Sequence, residues 1–516
     1  MTSSRYGAAD LYPMNYNPYA QRPLKEEDKV DTTSIEYDSM AQRWSLLHDL
    51  LGGTESMRAA KSEWLPREPR ETYTAYENRL RRSFLYNGFA DTVEKLVAKP
   101  FSRPVAVQGA FDDRIETIKN DVDRSGRDIT QLGRDVFRDL VVYGVGHVLV
   151  DFPKTEGVQT LADERELGVR PNLLHVSPVD LISWRTERTP SGKTRLTQIR
   201  IREQRVEPKG DFIDELVHYI RVLTPDAYAV YRRKQMQDEE KDEYELVEEG
   251  THSFGEIPLV TMYASRTGFL TAKPPLLDLA YMNLAHWQSM SDQRNVLRFA
   301  RVGILFASGF TEEEMEEGLT IGPNQLIRST NPDADIRYVE HAGQAIGAGQ
   351  EDLEMLERRM EVLGLQPLVQ RSGHQTATGK AIDESRVHTA IQSWIRSVEN
   401  GLRDSYVLAH RWFGIEPPED LSIDITNDFG VSLRATEDIE SLLKLRAMGN
   451  ISAETFLREL KRRGLISEAI DVDEELESIE METGLPDQTF MKDMEQETES
   501  TENEKELQER AEGEEK

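Results

Sequence analysis

The chain contains no cysteine. That excludes a disulfide framework, a thiolate nucleophile, Fe–S ligation and thiol-based zinc sites. No run of eighteen apolar residues occurs, so no transmembrane helix is expected. The opening MTSSRYGAADLYPMNYNP has no apolar h-region, so no secretory signal is expected either. A surplus of cations is also missing: 63 basic residues stand against 94 acidic ones, a net charge of −31. Such a chain cannot condense on DNA through bulk electrostatics, which argues against a sequence-specific DNA binder but not against a protein past which DNA slides. The deficit is uneven. From Asp471 to Lys516 there are 19 acidic and 4 basic residues, so about half of the net charge sits in a short tail.

Catalytic motifs are equally scarce. Gly373-His-Gln-Thr-Ala-Thr-Gly379-Lys380-Ala381 approaches a P-loop, but five residues separate the glycines where four are needed, and Ala381 stands where a Ser or Thr would hold magnesium. Gly144-Val-Gly146 lies on the wrong side of a strand for a dinucleotide fingerprint and reads as a helix-to-strand turn. The ten histidines form no HExxH pair, no GxSxG elbow exists, and the Glu312–Glu314 run lacks the alternating ligands of a calcium loop. No enzyme, metal or cofactor is expected. Trp44, Trp64, Trp287, Trp394 and Trp412 fall on helical stripes or beside proline, without a basic surround, and predict packing rather than base stacking.

What is present is periodicity. An apolar fraction of 38% in 516 residues is enough for a core and for several domains. Tyr76, Leu80, Phe84, Val93, Leu96 and Val97 keep helical spacing until Pro100. Ile129, Leu132, Val136, Phe137, Leu140 and Val141 make a clearer stripe, with Asp128 as cap, Gly144 as stop and HVLVDFP as a buried strand beyond. Between about 155 and 265, TQIRIR and HYIRV alternate between the turn signals PSGK, EPKGD and TPD, which predicts an antiparallel meander. After Pro274 and Pro275 comes a helix apolar on several faces (Leu277, Ala280, Leu284, Trp287, Met290, Val296), then GILFAS and DIRYVEH as strands around a short acidic helix. Leu353, Leu356, Met360 and Leu363 define another helix. The polar QRSGHQTATGKA follows, then a long helix from about Ala377 to Phe413 on the Ile391, Trp394, Ile395, Val398 and Leu402 stripe. Ser452 caps a late helix, and beyond Gly484 composition predicts disorder.

These parts, in this order, resemble the portal (head–tail connector) proteins of tailed bacteriophages over roughly residues 35–480. The stretches that carry the resemblance are GGTESMRAAKSEWLPREPRETYTAYENRLRRSFLYN, DLVVYGVGHVLVDFP, PPLLDLAYMNLAHWQSMSDQRN, YVEHAGQAIGAGQEDLEMLERRMEVLG with TATGKAIDESR, and GNISAETFLRELKRRGLI. The resemblance implies an α+β, predominantly helical subunit. Its parts would be an N-terminal arm (1–39), a wing (40–273), a first stem helix (274–301), a small α/β clip (302–349), a second stem helix (350–366), a tunnel loop (367–380), a long helix, wing return and helical crown (381–480), and an acidic tail (481–516). It further implies a dodecameric ring at one capsid vertex of the virion, assembled in the host cytoplasm. Double-stranded DNA would pass through it, driven by the large terminase subunit. Head–tail adaptors and the major capsid or scaffold protein would be partners, with no membrane.

Carried over by position, Gln370, Arg371, Ser372, Gly373, His374, Gln375 and Lys380 would face DNA in the channel. Leu284, Trp287, Leu353, Leu356 and Met360 would make ring contacts, and Glu312, Glu313, Asn324 and Arg328 would dock terminase or adaptor. The alternative is another non-enzymatic virion structural protein, a capsid or scaffold subunit, which would not account for the helix–insert–helix–loop–long-helix order.

Overall fold

In the computed structural model the described residues are 29–152, 169–234, 243–302, 304–311, 331–339, 344–364, 377–427, 442–462 and scattered positions from 466 to 479. The chain is mixed α/β and divides into two compact units, Met1–Phe429 and Gly430–Lys516.

The first unit opens with helices α1 (Ile35–Leu51), α2 (Gly53–Ala59), α3 (Tyr73–Arg82) and α4 (Gly88–Ala98). Three of their N-termini are capped by the residue types that favour it: Ser34, Thr72 and Asn87 accept from the amides of Tyr37, Ala75 and Ala90. α1 starts inside the segment read as an arm. Tyr37 is buried, and its hydroxyl donates to the Val179 carbonyl at 2.8 Å, so residues 35–39 belong to the body.

Strand β1 (Ala106–Gln108) and the short α5 (Asp113–Glu116) lead to α6 (Ile129–Tyr143), where Asp128 accepts from the Gln131 amide at 2.7 Å. Gly144 ends the helix at φ +84°, and a Cβ there would sit 2.4 Å from the Lys273 carbonyl oxygen, so only glycine fits. The predicted strand β2 (Val145–Asp151) follows, buried along nearly all its length between β3 (Asn172–Val176) and β9 (Leu259–Tyr263).

The meander is a separate five-stranded antiparallel sheet, ordered β4 (Leu181–Arg188), β5 (Thr194–Pro208), β6 (Asp214–Leu223), β7 (Ala227–Arg233) and β8 (Tyr244–Thr251). The Ile199 and Ile201 side of β5 packs with Leu181 and Leu223, while the alternate residues point to the opposite face, as a period of two requires. A small hairpin, β10 (Arg266–Gly268) and β11 (Thr271–Ala272), precedes the proline pair.

Then come α7 (Leu277–Val302), β12 (Ile304–Ser308), β13 (Asp335–Val339), α8 (Gln344–Leu363), α9 (Ala377–Trp412) and β14 (Ser422–Asp424), which pairs with β1. α9 is the central strut of the core. Ile391, Ile395, Val398, Leu402, Tyr406 and Ala409 are buried, and the helix packs on α6, β2 and β9. At Gly401 a Cβ would meet the Met262 side chain at 2.4 Å, so the missing side chain lets helix and strand close up.

The second unit, where described, holds α10 (Ala453–Arg462). Ser452 accepts from the Thr455 amide at 3.0 Å, in the capping role its sequence position predicts.

Candidate functional site

The pair α7 and α8 carries Leu284, Trp287, Leu353, Leu356 and Met360, five of the residues singled out from sequence. Pro274 and Pro275 cannot extend β11 and start the chain into α7. The first half of α7 is buried on several faces at once: Leu277, Leu279, Ala280, Leu284 and Trp287 enter the core with the polar Asn283, His286 and Ser291. Asn283 and Ser291 meet partners on the preceding helices, whereas His286 meets one through Nε2 and leaves Nδ1 without one. Asn283 Oδ1 accepts from the Phe89 amide at 2.9 Å and its Nδ2 donates to the Tyr86 carbonyl at 2.8 Å. Ser83 and Ser291 hydroxyls lie 2.9 Å apart, and Gln288 donates to the Trp64 carbonyl at 2.9 Å.

A buried ion pair adds to this seam. Arg79 and Glu71 meet at 2.9 Å, with Asp292 of α7 at 3.6 Å from the same guanidinium. Burial, the largest single influence, disfavours the Arg79 charge, but the hydrogen bonds and charge of Glu71 together with the charges of Asp292 and Glu68 hold the guanidinium pKa up. The same hydrogen bonds, first among its influences, hold the Glu71 carboxyl below its ordinary range.

Three polar links join α7 to α8. His286 Nε2 lies 3.2 Å from Glu357 Oε1, Ser289 donates to Asp352 at 2.9 Å, and Gln293 donates to the Ile346 carbonyl at 2.8 Å. Numbers rise along α7 as they fall along α8, so the helices are antiparallel. β12 and β13 pair antiparallel from Ile304↔Val339 to Ser308↔Asp335, and this two-stranded ribbon closes the pair at one end. Phe306 is exposed on it beneath the Arg337 guanidinium, 5.5 Å from the ring centroid.

α9 is anchored at the other side of this arrangement. Ser397 accepts from the Tyr263 amide at 3.0 Å and Glu399 from the Ile425 amide at 2.9 Å. Its last residue, Trp412, stacks between Phe152 (4.5 Å, 22°) and Phe254 (4.7 Å, 25°). A cleft of about 750 Å³ beside Trp412 is lined by Asp151, Arg221, Tyr228, Glu248 and His252. Its central charges answer one another, Arg221 meeting Asp151 at 2.8 Å and Glu203 at 2.5 Å. Among the described residues no group of three or more His, Asp or Glu is placed to hold a metal ion, and no helix is long and apolar enough to cross a membrane.

The residues singled out from sequence fall as follows. Leu284, Trp287, Leu353, Leu356 and Met360 are buried within a single chain, Trp287 to 0% exposure. Side chains covered this far by their own chain have little area left for a neighbour. The apolar groups that α8 leaves open are Met355, Val362 (61% exposed) and Leu363. The signal was in the sequence as a second stripe, seven residues from Met355 to Val362.

Lys380 and Gly379 lie in the first turn of α9, which begins at Ala377, three residues before the assigned end of the connecting loop. Gln370, Arg371, Ser372, Gly373, His374 and Gln375 lie outside the described residues, as do Glu312, Glu313, Asn324 and Arg328. α8 starts at Gln344, six residues ahead of the expected boundary. Sequence reasoning passed over Arg294, Arg298 and Arg301, an exposed row on the second half of α7 whose spacings of four and three were plain.

Residues 275–413, the stretch from α7 through α9, match a family model described as a domain of unknown function (DUF4055). No curated protein matches the sequence. Solved structures similar to the chain come from gene transfer agent (GTA) particles. The virion of a native particle contains a chain with 12% identity and a TM-score of 0.41, the match covering 77% of this chain and 96% of that one. The neck of an empty particle, computed with C6 symmetry, gives 12%, 0.40, 77% and 96%. The neck of a native particle, computed with C12 symmetry, gives 10%, 0.41, 79% and 98%.

Proposed function

We propose that the chain is a portal subunit: a non-enzymatic structural protein that closes into a ring, dodecameric by its resemblance, at one capsid vertex. DNA passes through the ring during packaging by a separate terminase motor and again on ejection, and the ring carries the tail adaptors. The observation that supports this best is the run α7–ribbon–α8–α9. Two antiparallel helices joined by three side-chain links and continued by a two-stranded ribbon form a stiff unit, which the buried first half of α7 ties into the core. A stiff element with an apolar outer stripe suits repeated head-to-tail contacts around a closed ring. Those contacts are assigned to Met355, Val362 and Leu363, in place of the buried five.

Native mass spectrometry and negative-stain microscopy of the purified protein test this. Closed rings with a central hole are expected, and only monomers or dimers under assembly conditions would overturn it. Val362→Asp is expected to prevent ring closure while leaving the thermal unfolding of the subunit unchanged. Trp287→Ala is expected to do the reverse, lowering subunit stability by about 3–5 kcal/mol through the cavity it leaves.

A further inference from the structure

The last ten residues of α7 carry charge of one sign only. From Gln293 to Val302 there are three arginines and no acid. Arg294, Arg298 and Arg301 recur at i, i+4 and i+7, which puts them on one face over about 10 Å of helix. All three are exposed, as is Arg82 at the end of α3. Arg82 stands two residues from Phe84, whose ring Arg294 covers, and this places it at the same patch; burial first, and then the positive charge of Arg298, push its pKa down. Arg294 is held in place over the Phe84 ring, 4.1 Å from its centroid. Among the described residues, none of the four has a carboxylate within ion-pair distance, although ion pairs are common elsewhere in the chain.

The surroundings sharpen the contrast. The part of α8 alongside this stretch, Gln344–Gln350, has no charged residue; its acids begin at Glu351 and continue through Asp352, Glu354, Glu357 and Glu361 toward the other end. The helix pair is therefore electrically polarised, positive at the ribbon end. Four unpaired cations in a chain of net charge −31 repel one another at a cost that an opposite charge must offset. The patch calls for a polyanion.

We propose that Arg82, Arg294, Arg298 and Arg301 form a contact surface for the phosphate backbone of duplex DNA. The portal reading supplies the identity of the polyanion; the patch itself stands on the geometry above. Arginine presents a planar fork of donors to phosphate oxygens, and contacts of this kind are sequence-independent and weakened by salt, so duplex can move across them.

The test is binding of a short fluorescent duplex of mixed sequence to the full-length protein across a tenfold range of salt. Three proteins are compared: wild type, the quadruple Arg82→Gln/Arg294→Gln/Arg298→Gln/Arg301→Gln variant, and the corresponding quadruple Arg→Lys variant. The slope of log K against log salt is expected to flatten by about 0.9 for each arginine removed in the Gln variant, with at least a tenfold loss of affinity at low salt. The Lys variant is expected to keep the wild-type slope. An unchanged slope in the Gln variant, equal loss in the Lys variant, or no measurable wild-type binding would overturn the proposal. So would preferential binding of polyglutamate, which would assign the patch to an acidic protein. Ring formation is scored separately by native mass spectrometry. Because the patch is complete in one chain, the salt slope decides it whether or not rings form.

Discussion

His175 and Asp139 meet at 2.6 Å where β3 lies against α6, in a largely buried setting. Burial acts to lower the His175 pKa, but the hydrogen bond and charge of Asp139 prevail and hold it above the ordinary 6.5. A folded pKa raised above the unfolded one means that the pair's stabilisation is fully present below about 6.5 and is lost as pH rises through the folded value. Asp139→Asn removes the compensating charge and leaves burial to act on the imidazole. NMR titration of the His175 ring is then expected to show a pKa below 6.5, and stability that no longer declines above neutral pH; a ring that still titrated high would show that another group holds it. The neighbouring His147 shows what burial does on its own: fully enclosed, its pKa is pushed down to about 3, and its Nδ1 lies 3.0 Å from the Thr261 hydroxyl. Two histidines on adjacent strands thus differ because only one faces a carboxylate.

Among elements, α7 depends on polar groups as much as on apolar ones. Asn283 bridges the Phe89 amide and the Tyr86 carbonyl from a fully buried position, so it satisfies two backbone groups at the start of α4. Asn283→Ala would leave both without a partner, at a cost of about 1–3 kcal/mol per unsatisfied group. Chemical denaturation should show that loss without a change in the denaturant slope, since the surface exposed on unfolding stays the same. The sequence marked α7 as apolar on several faces, which is correct for its first half. The polar residues bolting it to α3, α4 and α8 did not show, because an Asn, Ser or Gln on a helix reads as solvent-facing until its partner, some two hundred residues away in the case of Asn283, is brought beside it. Capping was legible for the opposite reason. Asp128 and Ser452 each act on an amide three residues away, and such local hydrogen bonds are written in adjacent sequence.

At the scale of the whole molecule, charge separates into a moderately negative body and a strongly acidic end. Beyond Gly484 the composition is strongly acidic, with few apolar residues. A chain truncated after Gly484 is therefore expected to form the same rings as the full-length protein, with native mass spectrometry as the check; loss of assembly would assign the tail a structural role. The body's sheets carry a second global feature. The five-stranded meander and the three-stranded β3–β2–β9 sheet are separate, although β9 follows the meander directly in sequence. Alternation placed β5 and β6 as strands, but nothing local distinguishes the partner of β9, which pairs with β2 more than a hundred residues earlier.

Sequence alone determined the periodic and punctuated features: the stripe of α6 with its Asp128 cap and Gly144 stop, the meander strands, the ribbon strands on either side of an acidic stretch, and the order helix, insert, helix, long helix. Each depends on residues within a turn or two of one another, where side-chain spacing and backbone preference act directly. The tertiary structure decided what those stripes face. Leu284, Trp287, Leu353, Leu356 and Met360 are apolar at helical spacing whether they meet a neighbouring subunit or their own chain, and only the fold shows that their own chain covers them. It likewise decided that Arg294 covers the ring of Phe84, more than two hundred residues earlier and two residues from Arg82, and so brought scattered basic residues together.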